Sequence, residues 1–420
     1  MPKTLDVYLE NSYVGNLIQD NYGLMLFKYD EKWLDNPAAL PLSNSLPLRK
    51  ELFKTKECRA FFAGVLPEAN NRIIIARILG ISAQNDFSLL EKIGGECAGA
   101  VTFLPTGDPL KTSDYDYQVL DNNQLAKILR ELPRRPLMVG TENVRISLAG
   151  AQDKIAVCIN AEGHISIPHG AAISTHILKP AIERFEGVVF NEALCMKLAN
   201  AIGLPSAKVE IRRVEDIDYL LVERYDRKQM IGSLAHSYPQ RVHQEDFCQA
   251  LVILPENKYQ NEGGPSLKRC FNLLREVSTA PVIDLQTLLD YVIFNFLVGN
   301  NDAHGKNFSI LYDRGTILTE HSKRLAPLYD VLCTVHYPDI SRKMAMKIGN
   351  EYNWDLIIPK HFDKFAEEVG LSQPLVKKRV CEVAQRILSK IDEMSMDHSV
   401  SMSVSKLIQQ HCESRIRDFQ

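Results

Sequence analysis

Leu297-Val298-Gly299-Asn300-Asn301-Asp302-Ala303-His304-Gly305-Lys306-Asn307 is the stretch whose reading decides the fold. Ahead of it, Leu285, Leu288, Leu289, Val292, Ile293, Phe296 and Leu297 fall at i, i+3, i+4, i+7, i+8, i+11 and i+12, one apolar helical face. Asp284 reads as the N-cap of that helix, and Gly299 followed by two Asn residues reads as its stop. A buried helix therefore ends where a polar, acid-containing loop begins. Beyond the loop, Phe308 to Tyr312 reads as a strand, Asp313-Arg314-Gly315 as a turn and Thr316 to Thr319 as a return strand. A polar stretch then leads to a second acid in Leu325-Ala-Pro-Leu-Tyr-Asp330.

This order suits phosphoryl transfer. In protein-kinase-like phosphotransferases an Asp orients the attacking hydroxyl, an Asn five positions later holds Mg²⁺, and a metal-binding Asp follows a hairpin. Asp302, Asn307 and Asp330 stand in that arrangement. Asn307 and Asp330 offer hard oxygen ligands, which suit Mg²⁺ together with waters and phosphate oxygens. Taken singly, a loop Asp is more often a turn former or a solvated charge. The ordered combination carries the reading.

The nucleotide half should lie upstream. Ser147-Leu-Ala-Gly-Ala-Gln-Asp-Lys154 is small and polar and runs into the strand-like Ile155 to Ile159, so its N–H groups could approach phosphates. Thr175-His-Ile-Leu-Lys179-Pro180 reads as a strand carrying a Lys suited to α/β-phosphates, with an ordinary edge-strand Lys as the plain alternative. Phe190-Asn-Glu192 opens a helix that ends at Gly203; Glu192 either pairs with Lys179 or favours the helix N-terminus. Asp218 to Arg227 is an apolar strand ending in charge, where a hinge that bonds adenine would lie.

With these residues in view, the chain resembles the HipA family of toxin kinases from bacterial HipBA toxin–antitoxin modules, over nearly its whole length. The carrying motifs are Phe61-Phe-Ala-Gly-Val-Leu-Pro67, Asp86-Phe-Ser-Leu-Leu90 with Gly99-Ala-Val101, Ile146-Ser-Leu-Ala-Gly-Ala-Gln-Asp-Lys154 and Thr175-His-Ile-Leu-Lys-Pro180. They continue with Val222-Glu-Arg-Tyr-Asp-Arg227, Gln244-Glu-Asp246, Gly263-Gly-Pro265, Asn301-Asp-Ala-His-Gly-Lys-Asn307 and Pro327-Leu-Tyr-Asp330.

The resemblance implies an α+β, bilobal protein-kinase-like fold. An extra N-terminal subdomain would span 1–104, a mixed α/β lobe with the nucleotide loop 105–226, and a mainly helical lobe with the catalytic loop 227–420. It implies ATP and Mg²⁺ as cofactors and Asp302 as the catalytic aspartate that orients the substrate hydroxyl, with Asn307 and Asp330 on the metal. The nucleotide loop would be Ala149, Gly150, Ala151, Gln152, Asp153 and Lys154, and Lys179 would hold phosphates. Glu223, Arg224 and Tyr225 would meet adenine, while His304, Gly305, Lys306 and Tyr329 would border the nucleotide. Ser147 matches the family's autophosphorylated serine; a phosphate there adds about −1.5 to −2 charge beside a loop that receives anionic ATP. Modification is therefore expected to eject the loop and switch the kinase off.

The family also implies partners. These are a HipB-like helix-turn-helix antitoxin, operator DNA contacted mainly through it, and an aminoacyl-tRNA synthetase as protein substrate, glutamyl-tRNA synthetase being the nearest candidate. Two departures stand out. The family's loop commonly reads Asp-Gly-His-Ala-Lys-Asn, whereas Ala303 and Gly305 exchange the small residues here, and Asp153 replaces Glu. A left-handed backbone at 303 would strain Ala.

Composition agrees. A chain of 420 residues holds two or three domains with ample core. A net charge of −3 and a pI near 6.4 leave no footprint of autonomous nucleic-acid binding. No signal peptide or membrane-spanning run is read, so a cytoplasmic protein with no membrane partner is expected. Nine scattered cysteines without any Cys-x-x-Cys speak against a disulfide framework or zinc site, and most are expected to be buried small apolar residues. Near the N-terminus a strand pair (Thr4 to Leu9, Tyr13 to Leu17), helical Asn70 to Leu79 and strand Gly99 to Leu104 precede a polar linker, Pro105 to Asp114. Val376, Val380, Val383, Ile387 and Ile391 mark a late helix. Gly299 to Lys306 is one residue too long for a Walker A loop, lacks its Ser/Thr and follows a helix. Two other readings remain at this point: a catalytically weak scaffold that co-represses with the antitoxin, and a kinase for a small alcohol.

Overall fold

Apolar alternation builds the N-terminal sheet. In Lys3–Leu9 the side chains of Leu5, Val7 and Leu9 are fully buried while their neighbours face outward, as a period of two requires. The computed structural model describes residues 2–111, 115–141, 144–182, 184–228, 239–314 and 321–420. Lys3–Leu9 pairs antiparallel with Ser12–Gln19 and Val101–Pro105, and Met25–Tyr29 closes the other edge of this four-stranded sheet. Phe27 on Met25–Tyr29 packs against Phe53 and Phe62, with the Phe27 and Phe62 ring centroids 5.3 Å apart. The expected helix at 70–79 is Ala69–Leu79, closed by Gly80 in the left-handed region.

A second sheet of six strands carries the nucleotide-side motifs. Its order is Asp116–Val119, Ile165–His169, Ile155–Ile159, His176–Pro180, Ile217–Glu223, Val209–Val214. Lys179 pairs with Leu220 and His176 with Glu223, so strand-borne Lys179 and the end of the apolar 217–223 strand share one antiparallel register.

The described residues divide into two compact units. One comprises 1–180, 212–256 and 311–322; the other comprises 181–211, 257–310 and 323–420. Helices dominate the second unit: Val188–Ala201, Leu267–Val277, Pro281–Val298, Pro359–Val369, Gln373–Met394 and Ser399–Phe419. Val376, Val380, Val383, Ile387 and Ile391 are fully buried on Gln373–Met394, the late helix that the aliphatic stripe marks.

Pro281–Val298 is the spine of this unit. It is 18 residues long and apolar enough for a membrane span by composition, a length the sequence reading did not give it, yet two-thirds of it is buried inside the protein. Asp284, expected as the N-cap, lies instead in the first turn. Pro281 starts the helix because its fixed φ suits the first helical position. Asp284 is buried and accepts from Ser278 Oγ at 2.6 Å, Arg324 Nη2 at 2.9 Å and the Leu325 N–H at 3.0 Å. At the other end the Phe296 carbonyl accepts the Trp354 indole N–H at 2.8 Å, and His411 Nδ1 lies 3.0 Å from the Leu297 carbonyl. Gly299 is the stop, at φ +73°, and a Cβ there would lie 2.3 Å from Val335 Cγ2. Only glycine closes this turn.

After the loop, Ser309–Arg314 is the expected strand. The turn residue Gly315 and the return strand expected at Thr316 to Thr319 lie outside the described residues, as do Thr112 to Asp114 of the linker. The described strand is His321–Leu325, drawn from the stretch expected to be merely polar.

Candidate active site

The backbone from Gly299 to Asp302, the start of the loop expected to be catalytic, is bonded by uncharged groups at close spacing. The Asn300 N–H donates to the Asn295 carbonyl at 2.8 Å, and Asn300 Nδ2 to Asn295 Oδ1 at 2.7 Å. The Asn301 N–H donates to Thr334 Oγ1 at 2.8 Å, while that hydroxyl donates to the Gly299 carbonyl at 3.0 Å. The Asp302 N–H then reaches Asn300 Oδ1 at 3.1 Å. These bonds turn the chain sharply as soon as the buried helix ends.

Within the loop, the Asp302 carbonyl accepts from the His304 N–H at 2.7 Å and from Asn307 Nδ2 at 3.3 Å. The second bond fixes the Asn307 side chain with its amide nitrogen turned inward, leaving its oxygen as the atom suited to a cation. His304, Lys306 and Asn307 are buried, and Asp302 is partly exposed. The Asp302 carboxylate accepts the Tyr259 hydroxyl at 2.6 Å, a partner that no local pattern in the sequence announces.

Asp330 is placed by bonds on both sides of it. The Leu328 N–H donates to the Pro205 carbonyl and the Ala207 N–H to the Leu328 carbonyl, each at 2.8 Å. On the far side, Asn191 Oδ1 accepts the Cys333 N–H at 2.7 Å and Asn191 Nδ2 donates to the Cys333 carbonyl at 3.0 Å. Asp330 itself sits at φ +59°, a left-handed backbone that Asp tolerates better than most side chains. Tyr329 Oη donates to the Lys306 carbonyl at 2.6 Å. The residue before Asp330 is thereby joined to the residue before Asn307.

Neither Ala303 nor Gly305 is among the described residues with positive φ. The exchange of small residues in the loop therefore costs no backbone strain. Glu192 is the fifth residue of Val188–Ala201, past the first turn, because Gly187 starts that helix earlier than expected. It belongs to the second unit, and Lys179 to the first.

The nucleotide-side residues lie in the first unit. Ser147 is fully buried, donates its hydroxyl to the Val65 carbonyl and its N–H to the Glu96 carbonyl, each at 2.8 Å. Gly150 stands at φ +104° and bridges Pro67 in parallel, with its carbonyl accepting the Glu68 N–H at 3.1 Å. The Ala151 carbonyl accepts Asn71 Nδ2 at 3.0 Å, and Lys154 Nζ donates to the Ala149 carbonyl at 2.8 Å. Burial raises the Asp153 carboxyl above its usual range, against a bond from Asn71 and the charge of Lys154.

The 223–227 segment is pinned by a buried cluster of charges absent from the sequence reading. Arg227 Nη2 lies 2.9 Å and Arg224 Nη1 3.3 Å from Glu96 Oε1, and Arg241 pairs with the other oxygen. Arg224 Nη2 meets Asp226 Oδ2 at 2.8 Å, and the Gly99 N–H donates to the same oxygen at 2.7 Å. Burial penalises the ionised Glu96 carboxyl, but Arg227, Arg241 and Arg224 outweigh it and hold its pKa down at about 2. The Arg224 side chain is thus engaged within the protein, and Tyr225 Oη donates to Gln244 Oε1 at 2.6 Å.

With this geometry in place, the comparisons give the family. Residues 146–391 match the HipA-like C-terminal domain and residues 5–104 the HipA N-terminal domain. The chain belongs to the HipA family. It is 45% identical over 406 residues, 94% of each chain, to Y4mE of Sinorhizobium fredii, a candidate kinase by its name. It is 29% identical to the serine/threonine-protein kinase toxin HipA of Shewanella oneidensis, over 93% of this chain and 89% of that one. The solved Shewanella oneidensis HipA, in a complex with HipB and its operator DNA, matches with a TM-score of 0.84 at 27% identity and covers 99% of both chains. The fold of this HipA-family chain is accordingly protein-kinase-like, mixed α/β in one part and mainly helical in the other, and its enzyme class is serine/threonine-protein kinase, a class that uses ATP.

Proposed function

We propose that the chain is a toxin kinase that moves the γ-phosphoryl group of ATP to a Ser or Thr of a protein target, slowing translation. The observation that carries this reading is the closed catalytic loop, in which the Asp302 carbonyl accepts the Asn307 amide at 3.3 Å and the Tyr329 hydroxyl joins the Lys306 carbonyl at 2.6 Å. In the reaction the substrate hydroxyl oxygen bonds to γ-phosphorus as the bond to the ADP oxygen breaks. Asp302 orients that hydroxyl and accepts its proton. Asn307 and Asp330 would hold Mg²⁺ through oxygens, and the ion supplies neutralisation of charge on the phosphates. Among the described residues no group of three or more His, Cys, Asp or Glu forms a metal cage. That fits a magnesium held by few protein oxygens and completed by phosphate and water. Lys179, buried on its strand, neutralises phosphates, and the loop from Ala149 to Lys154 encloses them.

Regulation follows from Ser147. Its hydroxyl is fully buried and bonded to the Val65 carbonyl, so a phosphate on Ser147 would break that bond, and phosphorylated Ser147 leaves its site and takes the nucleotide loop with it. The resemblance to the Shewanella complex supports a HipB-like helix-turn-helix antitoxin as partner, with operator DNA reached mainly through it. An aminoacyl-tRNA synthetase is the proposed substrate. The test is label transfer from γ-³²P-ATP to a purified panel of the synthetases, glutamyl-tRNA synthetase first; label on one of them supports the reading, and label on none rejects this substrate class.

A further inference from the structure

The short segment Asn257 to Gly264 has a role that the family motif around Gly263 and Gly264 leaves unexplained. Its carbonyl at Tyr259 accepts two amides, Glu262 N–H at 3.0 Å and Gly264 N–H at 2.8 Å, closing a tight turn. A Cβ at Gly264 would lie 2.6 Å from the Asn257 carbonyl oxygen, and Gly263 stands at φ +99°, so the turn closes only with glycines. Gln260 Oε1 accepts the Lys347 N–H at 3.0 Å and ties the turn to the hairpin behind it. The backbone of Tyr259 is fixed by these bonds, and its ring stands edge-on to His304 at 5.3 Å.

From that fixed turn, Tyr259 Oη donates to Asp302 Oδ1 at 2.6 Å. We infer that Tyr259 is a positioning residue for phosphoryl transfer, whose hydroxyl sets the rotation of the Asp302 carboxylate. The inference rests on the reading of Asp302 as the acid that orients the substrate hydroxyl. The χ2 torsion of an aspartate is broad and two-fold, so a carboxylate on a loop needs an external constraint to present one oxygen in a fixed direction. A short hydrogen bond to an ionised acceptor is among the stronger constraints available.

The experiment compares wild type, Tyr259→Phe and Asp302→Ala for label transfer from γ-³²P-ATP with Mg²⁺ to proteins of a bacterial extract, with kcat, the KM for ATP and the melting temperature measured for each. The expected result is a kcat roughly ten- to a hundredfold lower in Tyr259→Phe, with the KM for ATP and the melting temperature unchanged. A Tyr259→Phe kcat equal to wild type beside an inactive Asp302→Ala overturns the inference alone. Parallel loss of ATP affinity or melting temperature assigns the bond to structure and overturns it too. An active Asp302→Ala removes the reading beneath it.

Discussion

Two regions of this protein are fixed by opposite means. In the first unit the 223–227 segment is held by charge: two carboxylates, Glu96 and Asp226, sit fully buried among Arg224, Arg227 and Arg241. In the second unit the backbone from Gly299 to Asn307 is held by Thr334, Asn295, Asn300 and Asn307, all uncharged. The difference is chemical. On the proposed reading, a hinge that meets a nucleotide through its backbone can engage its side-chain charges internally. On the same reading, a loop that offers a carboxylate to a hydroxyl can take its backbone shape from neutral side chains.

That contrast can be broken from either side, and the largest effect is expected at the metal. Asp330→Asn should lower Mg²⁺-dependent phosphoryl transfer by about a thousandfold with little change in melting temperature, because on the proposed reading the carboxylate charge acts on a cation. Glu96→Gln should do the reverse. Removing one buried partner from several guanidiniums costs on the order of 3–5 kcal/mol, to be read by denaturant unfolding of the first unit.

The next effect is a pH dependence. Burial lifts the Glu245 carboxyl to about 7 from a usual 4.5, against donors from Ser43, Tyr312 and Asn44. Folded protein therefore keeps a proton there that the unfolded chain releases. The associated stability is full below about pH 4.5 and is lost as pH rises through 7, a swing on the order of 3 kcal/mol. Glu245→Gln, compared with wild type by urea unfolding at pH 5 and pH 8, should remove that part of the slope; an unchanged slope contradicts the assignment. Smallest is Tyr329→Phe, which removes the bond to the Lys306 carbonyl and should cost about 1 kcal/mol by thermal unfolding, with a loss of turnover smaller than that of Asp330→Asn.

Much of this was legible in the sequence wherever the signal is local. The face from Leu285 to Leu297 shows the spine helix, and Gly299 shows its end, since periodicity and a left-handed stop are properties of neighbouring residues. The strands bearing Lys179 and ending at Glu223 were legible for the same reason. Asp284 misled because an acid near a helix start looks like a cap, whereas its carboxylate bonds Arg324 from 40 residues away. Glu96 with Arg224, and Tyr259 with Asp302, join positions 128 and 43 residues apart and leave no periodic trace. Asp330 gave its identity but not its left-handed backbone, which lies between bonds to Pro205, Ala207 and Asn191 from distant parts of the chain.

The most direct measurement is a crystal structure of the full chain with Mg²⁺ and a non-hydrolysable ATP analogue. The account predicts one magnesium within about 2.0–2.1 Å of oxygens from both Asn307 and Asp330, with the Asp302 carboxylate facing the γ-phosphate. A magnesium that touches neither residue, or a γ-phosphate remote from Asp302, contradicts it.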